Sequence, residues 1–362
     1  MQVNHILEVE NKDTIQTLHK FLVAWWGHFQ PQALLAPVED PLTGIVNAQV
    51  IEDPADLARV NPFVPIMTRN SAGMAYQLRQ ERPNQRLGAI LRPCELRTYN
   101  EMRKRDTLNP NNGNDWNGRL VIISADCMGT YSLDDYNNEA AREGSLALAR
   151  ETLSNASTGG FKAQKYRTAC QICDWPAPWG ADVAIGTIGV DTNKYLLLIA
   201  RDEICSNCLE LGAISDHPAI EYQVSRRETV VGAVADAHTG VRKHLITNTP
   251  GYCRFDDLGS MLAWFASCSL CGKCLEACPL YQGELDGMID TGRASTGNSV
   301  SLSELVRTSR WLASCSGCGM CEEKCRRKVP LTLFIAALSH RIQEENQYIA
   351  GDPNQRLPWV RD

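Results

Sequence analysis

Residues 268–279 read CSLCGKCLEACP, and residues 315–330 read CSGCGMCEEKCRRKVP. Each run spaces four cysteines as C-x2-C-x2-C-x3-C: Cys268, Cys271, Cys274 and Cys278 in the first, Cys315, Cys318, Cys321 and Cys325 in the second. No other feature restricts the fold so tightly. Three thiolates at this spacing converge on one small centre from a tight loop, and the fourth points elsewhere. Such a run ligates a [4Fe–4S] centre, with its last cysteine serving the other cluster when two runs are present. The two copies therefore close a reciprocal pair. One centre takes Cys268, Cys271, Cys274 and Cys325, and the other takes Cys315, Cys318, Cys321 and Cys278. Gly272 and Gly319 follow the second cysteine of each run, where the backbone has to pass close to a centre. Pro279 closes the first run, whereas Arg326 follows the second and proline is delayed to Pro330.

Other uses of these cysteines fit less well. Zinc sites favour paired C-x2-C units, not triplets. Disulfides need an oxidising compartment. The opening residues carry no secretory signal, so reduced thiols and a cytoplasmic location are expected. The formal charge of −6 argues against non-specific nucleic-acid binding, which needs a basic face. Hydrophobic residues make up 44% of the chain, enough for a core without disulfide help. No apolar run approaches the ~20 residues of a membrane span.

Three units are expected: an α/β domain over 1–255, a mainly helical dicluster [4Fe–4S] ferredoxin domain over 256–345, and a polar tail over 346–362, docked or partly disordered. Residues 13–26 read as a helix with Asp13 or Thr14 as N-cap, and 27–75 are mixed and proline-bearing. RLGAILRPCELRTYNEMRKRD (86–106) is an apolar strand, a turn and an amphipathic helix. RLVIISADC (119–127) is a second strand, 181–190 and 194–203 are two more, and 230–246 reads as a helix. Apolar strands alternating with helical stretches give a mixed sheet with parallel pairs. In the C-terminal unit, 258–266, 301–313 and 330–345 are helical, and 283–299 is loop-like.

Seven further cysteines remain. Cys94 and Cys127 end two of the strands, where ligand crevices of open α/β sheets lie. With Cys170 and Cys173 of CQICDW they make four thiolates, enough for a third [4Fe–4S] centre. A rival grouping sets Cys170 and Cys173 with Cys205 and Cys208 as a zinc site. Cys94 and Cys127 also fit as ordinary buried small side chains, and Cys253 stands alone as a free buried thiol. Neither G-x-G-x-x-G nor G-x-x-x-x-G-K-[ST] occurs, nor the C-x3-C-x2-C signature of radical enzymes. Gly129 and Thr130 follow the Cys127 strand, where backbone amides can approach a phosphate, and Arg92 can counter its charge. Turn glycines and surface arginines are equally common as structural residues.

Pro93–Cys94, Cys127, Cys170 and Cys173 with Asp174–Trp175, Ala181–Asp182, Gly186 and Gly189 occur in an order that resembles the beta subunits of coenzyme F-420-reducing hydrogenase and methanogen-type formate dehydrogenase. The resemblance runs over about residues 60–345. It implies that the α/β domain binds FAD, with Asp182, Gly186 and Gly189 joining Arg92, Gly129 and Thr130 as cofactor-binding candidates. It further implies that Cys94, Cys127, Cys170 and Cys173 hold a centre near the flavin. The chain would then serve a catalytic formate dehydrogenase or hydrogenase subunit, or heterodisulfide-reductase-like subunits, and pass electrons to a small carrier such as F-420. The competing classes are a flavin-free polyferredoxin adaptor, a cluster-based redox sensor and a zinc-binding regulator.

Overall fold

The computed structural model describes residues 2–106, 120–160, 165–248, 259, 265–281 and 302–360. Cys253, the 283–299 loop and most of the 258–266 helix expected from the sequence lie outside them. The strands are β1 (Val3–Glu8), β2 (Ala33–Glu39), β3 (Val46–Ile51), β4 (Leu87–Leu91), β5 (Leu120–Ala125), β6 (Val183–Gly186), β7 (Tyr195–Ala200) and β8 (His217–Pro218). They form one sheet in the order β3-β2-β4-β5-β6-β7-β1-β8. β2, β4, β5 and β6 run parallel, and the remaining pairs are antiparallel. The sheet is thus mixed.

The helices over this sheet are α1 (Thr14–Phe29), α2 (Ala72–Glu81), α3 (Pro93–Asp106), α4 (Leu133–Glu143), α5 (Ser145–Thr158), α6 (Thr168–Gln171), α7 (Glu203–Cys208), α8 (Leu211–Ile214) and α9 (Glu221–Asn248). They cover both faces, which is why the central strands are apolar throughout rather than alternating. The two-residue period of a strand deals its side chains to the two layers. Leu34, Ala36 and Ile90 pack with Trp25 of α1 and Leu148 and Leu153 of α5, whereas Ala33, Leu35 and Leu91 pack with Leu78 of α2 and Leu96 of α3. Asp13 caps α1 by accepting from the Gln16 amide. Trp25 lies so close to β4 that a Cβ on Gly88 would meet its ring at 2.6 Å.

The C-terminal unit contributes α10 (Lys273–Glu276), α11 (Leu302–Ala313), α12 (Met320–Glu323) and α13 (Leu331–Glu345). Its small core sets Leu312, Val329, Leu331 and Ile335 against Cys274, Cys315, Cys321 and Cys325. Residues 346–360 then return to α3. The Tyr348 hydroxyl donates to Glu101 Oε1 at 2.5 Å, the Gly351 amide donates to the same oxygen at 2.7 Å, and Asn100 Nδ2 donates to the Gly351 carbonyl at 3.0 Å. This segment is polar in sequence but docked in place, because α3 supplies buried polar partners for it.

Candidate metal centres

Two neighbouring parallel strands bring the first cysteines together. Cys94 is the second residue of α3, directly beyond β4, and Cys127 lies two residues beyond β5. The turn after β5 is held by Asp126. Its Oδ2 accepts from the Thr187 and Ile188 amides at 2.8 and 2.9 Å, and its Oδ1 pairs with Arg227 at 2.5 Å. Cys170 lies on α6 against the same turn, with the Thr130 amide donating to its sulfur at 3.3 Å. Gly129 makes this approach possible. It has φ +127°, and a Cβ there would meet the Tyr166 ring at 2.7 Å and Cys170 Cβ at 3.1 Å.

Cations face these sulfurs. Arg92 Nη1 lies 3.6 Å from Cys127 Sγ, and Arg167 Nη2 lies 3.8 Å from Cys170 Sγ. Burial pushes the Cys94 thiol well up, with Glu95, Cys318, Cys127 and Cys173 adding to the shift. Burial also raises Cys127, against the pull of Arg92, and raises Cys173 to about 12, against backbone and Arg97. The four sulfurs expected to share a third centre therefore lie within electrostatic reach of one another. As bare thiols they are costly to ionise, a cost that a bound cationic iron core removes.

The electrostatic neighbours of these thiols cross between the two runs. Cys321 is raised by burial and then by Cys318, Cys315 and Cys278. Cys315 is pushed by burial to about 12, with Cys318 and Cys278 contributing. Cys274 is raised by burial, and the thiols that add to the shift are Cys325 and Cys268. Cys278 thus lies near Cys315 and Cys321, and Cys325 near Cys274. Backbone and side-chain donors turn toward these sulfurs: Leu270 N to Cys268 at 3.4 Å, Val329 N to Cys325 at 3.4 Å, and Trp311 Nε1 to Cys278 at 3.2 Å. Gly272 and Gly317 have positive φ and nothing within 4 Å of where a Cβ would stand, so open space remains beside the cysteines.

Among the described residues, no three or more His, Cys, Asp or Glu side chains close on a point as a single metal ion requires. Cys205 and Cys208 form no such group either. Cys205 is buried and donates to the Asp182 carbonyl at 3.2 Å, and Cys208 is exposed at the end of α7.

The strand-end set and the second run meet. Thr98, one turn after Cys94, donates to the Cys94 carbonyl at 2.9 Å, and its hydroxyl lies 2.6 Å from that of Ser316. Arg167 donates to Thr130 Oγ1 at 2.9 Å and approaches Met320 Sδ at 3.2 Å. A cavity of about 70 Å³ lies between Cys173 on one side and Cys315 and Cys321 on the other. Thr332 lines it with a buried hydroxyl that has no hydrogen-bond partner. By contrast Cys268 and Cys271 are exposed, and Leu270 between them is 91% exposed. The cysteines thus run from the surface, through the second run, to the sheet edge.

The six flavin candidates have other partners. Arg92 Nη2 donates to the Val64 and Ile66 carbonyls at 2.7 and 3.0 Å. Thr130 is bound to Cys170 and Arg167. Asp182 accepts from the Ile122 amide at 2.8 Å and pairs with Arg201 at 2.9 Å. Gly186 and Gly189 admit α9, since Cβ atoms there would meet Arg227 Nε at 2.6 Å and Val230 Cβ at 2.9 Å. Gly129 admits Tyr166. Sequence reasoning did not single out Asp126, Thr98, Ser316, Arg97, Arg167 or Arg227. For Arg97 a signal was present, because the i, i+3 spacing of Cys94 and Arg97 places both on one helix face.

Residues 264–329 match the 4Fe-4S dicluster domain family. This C-terminal region carries a 4Fe-4S dicluster domain. Among solved structures, the chain is similar to one from the F420-reducing [NiFe] hydrogenase complex of Methanosarcina barkeri. The identity is 10% and the TM-score 0.48, over 68% of this chain and 92% of that one. No described helix is long and apolar enough to cross a membrane.

Proposed function

We propose that the chain is an iron–sulfur electron-transfer subunit with three [4Fe–4S] centres in series. The outermost is held by Cys268, Cys271, Cys274 and Cys325, the middle one by Cys278, Cys315, Cys318 and Cys321, and the innermost by Cys94, Cys127, Cys170 and Cys173. The observation that carries this reading is the hydrogen-bonded junction from the Cys94 carbonyl through Thr98 to Ser316, beside Cys315. It joins the sheet edge to a dicluster domain whose far end is exposed. Each cubane, when bound, takes up and releases one electron. The residues around it set the order of the relay: half-buried cysteines inside, and exposed Cys268 and Cys271 where a partner docks.

The finer reading implied by the resemblance adds FAD, coenzyme F-420 and a catalytic formate dehydrogenase or hydrogenase subunit, in the cytoplasm. The six residues named for FAD are engaged in internal contacts, and that favours the flavin-free adaptor of a redox complex. Anaerobic purification from the native host tests both. About twelve iron and twelve sulfide per chain supports the relay; about eight restricts it to the dicluster domain. Flavin absorbance beneath the iron–sulfur bands, with reduction of F-420, supports the finer reading. A flavin-free preparation with co-purifying catalytic subunits supports the adaptor.

A further inference from the structure

Arg97 is an anomaly. It is 6% exposed, yet among the described residues no carboxylate lies within 4.0 Å of its guanidinium. Its Nε donates to the Ala350 carbonyl at 2.9 Å and its Nη1 to the Ser316 carbonyl at 3.1 Å. The guanidinium lies 5.1 Å from the centre of the Trp175 ring. Two carbonyls and an indole face orient a cation but do not neutralise it. An uncompensated buried charge costs several kcal/mol, and an apolar side chain of like volume is usually at least as stable. A guanidinium at this place calls for an anion.

The candidate anions lie on both sides of it. Arg97 is one turn from Cys94 on α3 and lines the same cavity as Cys173, Cys315 and Cys321. Burial lowers its pKa, and the opposing charges are, in order, Cys173, Cys315, Cys94 and then Glu101. Two of those thiolates belong to the innermost set and one to the middle set. A cubane with four thiolates is net anionic, and more so when reduced.

We propose that Arg97 is a shared counter-ion for the innermost and middle centres, stabilising the reduced form of each and so raising both potentials without favouring either. This inference rests on the three-centre reading above. The step itself is simple. One electron leaves the reduced centre and arrives on its neighbour, no bond is made or broken, and the guanidinium keeps its proton throughout. Because the cation lies between the two, it favours the extra electron on either side. Both reduction potentials rise together, and the gap between them is left unchanged. Removing a cation beside only one centre would change that gap.

The test is an anaerobic redox titration of the full chain, followed by electron paramagnetic resonance, for the wild type, Arg97→Gln and Arg97→Lys. Arg97→Gln is expected to keep full iron content and to weaken reduction of both centres at least tenfold, about 59 mV for a one-electron step. Arg97→Lys keeps the charge and is expected to move both by less. Full iron with both midpoints unmoved in Arg97→Gln overturns the proposal, as does a shift at one centre alone. If Arg97→Gln loses iron, Arg97→Lys decides: both midpoints within threefold of wild type support charge sharing, and a tenfold weakening overturns it. Iron loss from both variants makes Arg97 a purely structural residue and overturns it too. A wild type with about eight iron per chain instead overturns the three-centre reading, a result distinct from any change confined to the variants.

Discussion

Asp126 and Arg227 form a buried ion pair 2.5 Å long, with side chains 0% and 10% exposed, between the turn after β5 and the helix α9. Asp126 also accepts two backbone amides from the turn after β6. One carboxylate thus fixes two strand ends and a helix around Cys127. Removing its cation leaves a buried charge without compensation. Arg227→Met is expected to lose about 3–5 kcal/mol of stability, read as a lower urea midpoint under anaerobic conditions. Asp126→Asn keeps an acceptor for the two amides, which share one oxygen, and is expected to lose less than Asp126→Ala. An unchanged midpoint in Arg227→Met refutes the role given to the pair.

Cys278 belongs to the first run in sequence and to the second in space. Cys278→Ala is expected to remove about four iron and to leave the Cys268/Cys271/Cys274/Cys325 centre intact. Adding Cys318→Ala then changes the iron content no further, whereas adding Cys271→Ala removes the remaining surface centre. The opposite pattern of the two double variants contradicts the crossed assignment.

Cys205 and Cys208 stand apart from all three sets. The double variant Cys205→Ala, Cys208→Ala is expected to keep the iron content of the wild type and to bind no less zinc. Loss of either metal restores the pairing with Cys170 and Cys173. A modest loss of stability is expected, since Cys205 is buried beneath β7 with its thiol bonded to the Asp182 carbonyl.

His5 supplies a pH dependence away from the three cysteine sets. Its ring is buried between the Ser206 hydroxyl at 3.0 Å and the Ser215 hydroxyl at 3.2 Å, and burial lowers its pKa below 6.5. The unfolded chain takes up the proton near 6.5 and the folded chain resists it. The stability is therefore full above pH 6.5 and is lost as pH falls below that value. His5→Gln is expected to flatten the fall in urea midpoint between about pH 7 and pH 5. An equal slope in the variant excludes His5 as its source.

The cysteine runs were legible because ligand spacing along a tight loop is itself the geometry of the site. Cys94 and Cys127 were legible because β4 and β5 are short, mainly apolar runs that end just before them. Less was visible where neighbours distant in sequence supply the partner. β1 is only half buried and reads as mixed, since it pairs with β7, some 190 residues away. β2 contains Pro37, which weakens the strand signal although it lies opposite Ala48 in the ladder. Arg97 and Arg227 look like solvated charges on helices, and only the folded chain shows what encloses them. The flavin residues read as phosphate contacts because glycines and an arginine at strand ends suit that use. The same properties equally serve close helix packing and carbonyl bridging, which are the contacts these residues make in the fold.

The docking of residues 346–360 on α3 has a kinetic consequence. Ala350 and Arg97 are 253 residues apart. At a synthesis rate of 5–20 residues per second, α3 waits roughly 10–50 s for this covering segment. During that interval Arg97, Asn100 and Glu101 lack the carbonyls, amide and phenol that later enclose them. The junction between the sheet edge and the dicluster domain is therefore completed late in biogenesis, after the sheet that carries Cys94 and Cys127 has been made.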